Sequence, residues 1–119
     1  MEELKTKYGI DKLDVVIANA GIGKHWGTAL STPEEEFVDH FQINTIGPLI
    51  LFQATWPLLD RVAAPKFVVM TSQIGTIGGM EHVPLPAIAY GVSKAAVNFV
   101  ARKIHFEHEK LLVVPIHPG

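Results

Sequence analysis

Three short aliphatic runs, Leu13 to Ala18 (LDVVIA), Lys66 to Thr71 (KFVVMT) and Leu111 to Ile116 (LLVVPI), restrict this chain to very few folds. None shows polar and apolar alternation, the pattern of strands covered on both faces. Helical patterns fill the intervals. Ser31-Thr32-Pro33 before Glu34, Glu35 and Glu36 combines a capping hydroxyl, an early proline and an acidic first turn, so a helix is predicted from there through Phe37 to about Leu59. Asn44-Thr45 and Gly47-Pro48 predict a kink within it. A second helix is predicted from near Ala89 to about Glu109, after a long loop, Gln73 to Ile88, rich in glycine and proline. Strand, helix, strand, helix, strand implies an α/β fold of parallel strands joined by right-handed crossovers.

With 119 residues and 48% hydrophobic composition, the chain suffices for one small domain, residues 1–119. A net charge of −2 without a basic block gives no support for nucleic-acid or acidic-membrane binding. The absence of cysteine excludes disulfides and thiolate metal sites and fits a reducing, cytoplasmic setting. The charged start MEELKTKYGIDK is unlike a secretory signal. Ile46 to Leu59 is nearly all apolar, yet shorter than the roughly 20 residues of a spanning helix. It also contains Gly47, Pro48, Gln53 and Pro57, and reads as a buried helix of a soluble protein. His105 and His108 stand beside Glu107 and Glu109 on what should be a solvated helix end, without a third ligand at usual spacing, so no metal site is expected. His25, His40, His82 and His117 are scattered, and Trp26 and Trp56 read as packing residues.

Ligands of parallel sheets bind outside the carboxyl ends of the strands. Polar residues collect there: Asn19-Ala20-Gly21 after the first strand, Ser72 after the second, Pro118-Gly119 after the third. Tyr90, Gly91, Val92, Ser93 and Lys94 open the second helix. Residues four apart share a helix face, so the Lys94 ammonium can approach the Tyr90 phenol. A free phenol has a pKa of about 10, and a nearby cation favours its anion, which makes Tyr90 a candidate general acid/base. Taken singly, each motif also has a plainer reading: packing and snorkelling for Tyr90 and Lys94, a strand-end cap for Ser72, a helix kink for Asn44, a turn for Asn19 to Gly21.

Taken together and in this order, NAG at Asn19 to Gly21, the helical asparagine of INTIGP at Asn44, the serine of VVMTSQIG at Ser72, YGVSK at Tyr90 to Lys94 and the terminal PG resemble the classical short-chain dehydrogenase/reductase family. The segments MEHVPLPAIAYGVSKAA and RKIHFEHE resemble fungal ketoreductases of the norsolorinic acid reductase type. The resemblance implies part of a Rossmann-type doubly wound sheet and an NADP- or NAD-dependent oxidoreductase, NADP being favoured, that acts on a small carbonyl or alcohol substrate. Tyr90 would exchange the proton with the substrate oxygen. Lys94 would assist it and hold the nicotinamide ribose, and Ser72 would hold the substrate oxygen. Asn44 would sit behind Lys94 and hold a relay water with its side chain and the opened helix backbone. Asn19, Ala20 and Gly21 would let the cofactor approach closely, and Pro118 and Gly119 would line the nicotinamide.

The family also begins with a strand and a glycine-rich TGxxxGxG turn, where backbone amides hold a pyrophosphate. No such segment precedes Leu13, and Gly21-Ile22-Gly23 with Gly27 has a different spacing. The chain is therefore expected to lack the amino-terminal cofactor-binding unit and the carboxyl-terminal substrate lid. Two outcomes stand open: the core of a reductase, or an inactive remnant that docks onto full-length relatives. Apolar circumference on helices 37–59 and 89–109 and the resemblance together imply a homo-oligomer through them.

Overall fold

The computed structural model describes residues 2–117; Pro118 and Gly119, both expected at the cofactor site, lie outside the described residues. Strands β1 (Val15–Ala18), β2 (Lys66–Met70) and β3 (Leu112–Ile116) form one parallel sheet in sequential order. The register sets Val16 beside Phe67 and Phe67 beside Val113. The backbone ladder extends past the strand ends through Lys66 N–H to Asp14 C=O (2.9 Å) and Thr71 N–H to Ile116 C=O (2.7 Å).

Between β1 and β2 runs a helix in three pieces: α2 (Glu34–Phe41), a π-helical turn (Gln42–Ile46) and α3 (Gly47–Leu59). This turn holds Asn44 and Thr45 and ends just before Gly47-Pro48, the place where a kink is predicted. Pro48 has no N–H to give the carbonyl four residues back, that of Asn44. Gly47 N–H instead reaches Gln42 C=O, five residues back. Such wider turns are frequent at functional sites. The acidic first turn Glu34 to Glu36 complements the helix dipole, as expected. The predicted cap does not form: Pro33 is the capping residue, while the Ser31 and Thr32 hydroxyls bond to Thr28 in the preceding turn.

The second crossover is α4 (Ile88–Glu107), preceded by two 3₁₀ turns, Gln73–Gly75 and Met80–His82. It ends two residues before the predicted boundary. His108, first past its end, leaves the helical conformation and lays its ring 4.2 Å from the Trp56 ring and 5.3 Å from that of Phe52. His108 thus rests against an aromatic pair, while Phe106, Glu107 and Glu109 beside it are exposed, as expected of a solvated helix end. A further helix, α1 (Glu2–Tyr8), was not predicted; it stops where Gly9 takes a left-handed φ of 69° and Gly9 and Ile10 N–H return to Lys5 and Leu4 C=O.

Helices α3 and α4 cover the same sheet face, and α2 packs on α4. Val16, Phe67, Val69 and Val113 of the sheet meet Phe52 and Leu59 of α3 and Val97 and Ile104 of α4 in one core. The opposite face is open, with Val15, Ile17 and Leu112 each about half exposed (47, 56 and 49%). The expectation of strands covered on both faces is corrected here. Right-handed crossovers that advance in one direction put every helix on one side, and a doubly wound sheet gains helices on its second side only where the strand order reverses. No reversal occurs among the described strands.

Candidate functional site

The carboxyl ends of β1 and β2 and the first turns of α4 enclose an open cavity of about 450 Å³. Asn19, Gly21, Met70, Thr71, Tyr90 and Lys94 line it, with Gly23 and Trp26 on the β1 side. Trp26 is thus a cavity residue, 58% exposed, and not the packing residue expected. Ala20 is exposed beside Asn19 and Gly21.

Tyr90 and Lys94 do share a helix face: Lys94 Nζ lies 5.7 Å from the Tyr90 ring centroid. The ammonium also donates to Met70 C=O at 3.1 Å, which anchors it to the end of β2. Lys94 is 6% exposed, and burial holds its pKa below the usual 10.5. The unfolded chain then binds this proton more tightly than the folded one, so stability attributable to Lys94 rises with pH through the folded pKa toward the unfolded value. In urea denaturation, the stability of the wild type relative to Lys94→Met should therefore increase between pH 7 and pH values near 10.5. A difference that is flat or falls over that window would contradict the burial of this cation.

Asn44 lies inside the π-helical turn and is almost fully buried. Its Oδ1 accepts from Ile22 N–H (2.8 Å), and its Nδ2 donates to Ile22 C=O (2.8 Å) and Ser93 Oγ (3.0 Å). The side chain is spent on joining the loop after β1 to α4. A Cβ on Gly21 would stand 3.1 Å from Asn44 Oδ1 and 3.7 Å from Lys94 Nζ, so glycine keeps this corner beside the ammonium clear.

Ser72 follows the end of β2, between cavity residues Thr71 and Ile74, with its Oγ accepting from Ile74 N–H (3.2 Å) at the start of a 3₁₀ turn. That turn brings Gly75 onto α4. A Cβ there would stand 2.8 Å from Ala95 N and 2.9 Å from Lys94 C, both backbone atoms. Gly75→Ala should accordingly push the turn off α4 and cost about 1–3 kcal/mol in denaturant unfolding, the range for overpacking. An unchanged midpoint would show that the contact yields freely.

Ser93, Thr45 and His40 were given no role at the site from the sequence. Ser93 Oγ donates to Tyr90 C=O (2.6 Å), and Thr45 Oγ1 donates to Ser93 C=O (2.7 Å), pinning the π-helical turn to the helix that carries Tyr90. All three are buried polar residues with tertiary partners; a signal existed only in the i, i+4 spacing of His40 and Asn44.

The family model for the short chain dehydrogenase matches residues 1–119. The chain belongs to the short-chain dehydrogenase family. Among relatives, this short-chain dehydrogenase is 43% identical over 123 residues to the norsolorinic acid ketoreductase of Dothistroma septosporum, covering 100% of this chain and 46% of that protein. It is 43% identical over 117 residues to that of Emericella nidulans, covering 98% of this chain and 44% of the relative. It therefore spans less than half the length of these relatives. Among solved structures, it superposes on the putative carbonyl reductase Sniffer of Caenorhabditis elegans with a TM-score of 0.88 at 26% identity, covering 99% of this chain and 57% of that one. Against an NADPH-bound carbonyl reductase from chicken fatty liver the TM-score is 0.86 at 27% identity, covering 99% of this chain and 50% of that one.

Proposed function

We propose that this chain forms the chemical core of a cytoplasmic, NAD(P)-dependent carbonyl reductase or alcohol dehydrogenase. The observation that carries the reading is the meeting of Tyr90 and Lys94, from one helix face, with Asn19 and Gly21 in a single cavity at the strand ends. The cleared corner at Gly21 beside the Lys94 ammonium fits the close approach of a hydroxyl-bearing cofactor. A bound nicotinamide would supply or take up the hydride.

Tyr90 would give its phenolic proton to the substrate oxygen in reduction and take it back in oxidation. Lys94, held by Met70 C=O, would keep positive charge near that phenol and retain donors for ribose hydroxyls. The Ser72 hydroxyl, whose oxygen is engaged by Ile74 N–H, still has its hydrogen to offer a substrate oxygen. Because the Asn44 side chain is occupied, a relay water would be held by the Asn44 backbone carbonyl, denied its usual donor by Pro48. Asn19, Ala20 and Gly21 would flank the cofactor, and Pro118-Gly119 would line the nicotinamide. NADP is the preferred cofactor of this reading, supported by the NADPH-bound carbonyl reductase among its structural neighbours.

The test is a chimera in which these 119 residues replace the matching span of the norsolorinic acid ketoreductase of D. septosporum. NADPH-dependent reduction of that enzyme's ketone should persist. A chimera that folds and binds NADPH but turns nothing over would overturn the reading.

A second reading, an inactive form that assembles with itself or with full-length relatives, is favoured by the open apolar sheet face and by Ile50, Phe99 and Phe106 on the helices, which are 54, 68 and 71% exposed. Helices α2, α3 and α4 would pair with a second copy. The purified 119-residue chain should run as an oligomer in light scattering, without saturable NADPH binding. A monodisperse, cooperatively melting monomer would refute the assembly.

A further inference from the structure

His40 lies one helical turn before Asn44 on α2 and is completely buried. Its Nε2 accepts from Lys24 N–H at 3.2 Å, and its Nδ1 sits 2.7 Å from Glu36 C=O. An Nε2 that accepts from an amide leaves the ring proton on Nδ1, which then donates to Glu36; the ring is neutral with a single fitting tautomer. Its edge meets the Tyr90 ring at 89°, with centroids 6.4 Å apart. Lys24 is held a second time, through its ammonium, to Glu36 (2.6 and 2.8 Å) and Asp39 (3.1 Å).

Residues 40 and 44 thus grip the same loop at two places, Lys24 and Ile22, and Gly23 lies between. A Cβ on Gly23 would be 3.2 Å and 3.3 Å from two Tyr90 ring carbons, so the loop backbone is the wall against which that ring rests. We infer that His40 is a positioning residue for Tyr90: its neutral imidazole fixes the Ile22–Lys24 wall and packs edge-on against the phenol ring, setting where the hydroxyl stands in the cavity. The salt bridges of Lys24 are exposed and weak by themselves, which leaves the buried imidazole as the main fixed point on the Lys24 side. The catalytic part of this inference rests on Tyr90 as proton donor; the geometric part does not.

Two measurements separate them. In the 119-residue chain, amide exchange at Lys24 should speed up about tenfold in His40→Leu, the equivalent of one lost hydrogen bond. His40→Gln, which keeps an acceptor, should return it to near the wild-type rate. Tyr8 and Tyr90 are the two tyrosines, so ¹³C-tyrosine labelling in a Tyr8→Phe background gives one ring resonance, which both His40 variants should displace. In the chimera, His40→Leu should lower kcat about tenfold or more while NADPH affinity holds, because small misplacements of a reacting group are costly. His40→Gln should recover part of that loss.

If both His40 variants leave the Lys24 exchange rate and the Tyr90 resonance as in the wild type, the inference is overturned. Should His40→Leu not fold, His40→Gln decides alone: an undisplaced Tyr90 resonance overturns the inference, and a displaced one with lowered kcat supports it. If kcat and NADPH affinity fall together, the role is general support of the fold and the inference is again overturned. Retained turnover in Tyr90→Phe, with the exchange and resonance effects present, would instead reject Tyr90 as proton donor and leave the positioning geometry standing.

Discussion

Replacing Tyr90 by phenylalanine in the chimera should lower carbonyl reduction by about 10²- to 10⁴-fold, the range for loss of a positioned proton donor. The substitution removes only the hydroxyl. The ring keeps its edge contact with His40 and its rest against Gly23, so the fold and NADPH binding should change little. Lys94→Met should harm both turnover and binding, because Lys94 touches the end of β2 as well as facing the cavity. Steady-state rates and fluorescence titration with NADPH distinguish the two patterns. Near-normal turnover in Tyr90→Phe would assign the proton to another group.

Asn44→Ala should produce the largest loss of stability from any single polar side chain. Three hydrogen bonds disappear, and Ile22 N–H, Ile22 C=O and one side of the Ser93 hydroxyl lose their partner. An orphaned buried polar group costs about 1–3 kcal/mol, so the sum should reach about 3–5 kcal/mol in urea denaturation. Asn44→Asp should not rescue it, since a carboxylate keeps the acceptor for Ile22 N–H but has no hydrogens for Ile22 C=O or Ser93 Oγ. A loss below about 1 kcal/mol for both variants would mean that water replaces the amide there.

Much of this was legible in the sequence because it depends on short-range periodicity. The strand runs, the kink at Gly47-Pro48 and the shared face of Tyr90 and Lys94 all follow from residues within five positions of one another. What the strands left ambiguous was their cover: an aliphatic run such as VVIA is the same whether one face or both are packed, and here Val15 and Ile17 face outward. The aromatic seat of His108 was illegible for a similar reason. Its partners Phe52 and Trp56 belong to another helix, so the local charges around it suggested solvent.

The sequence by itself determined the parallel α/β order, the strand-end placement of the polar motifs and the Tyr90–Lys94 pairing, because helix and strand periods place neighbours without reference to the rest of the chain. Only the tertiary structure decided which buried polar groups satisfy one another. Asn44 finds Ile22 across 22 positions and Ser93 across 49, and His40 finds Lys24 across 16. Such partners are chosen by the cost of leaving a buried donor or acceptor unpaired, a demand that exists only once the helices have closed over the sheet and excluded water.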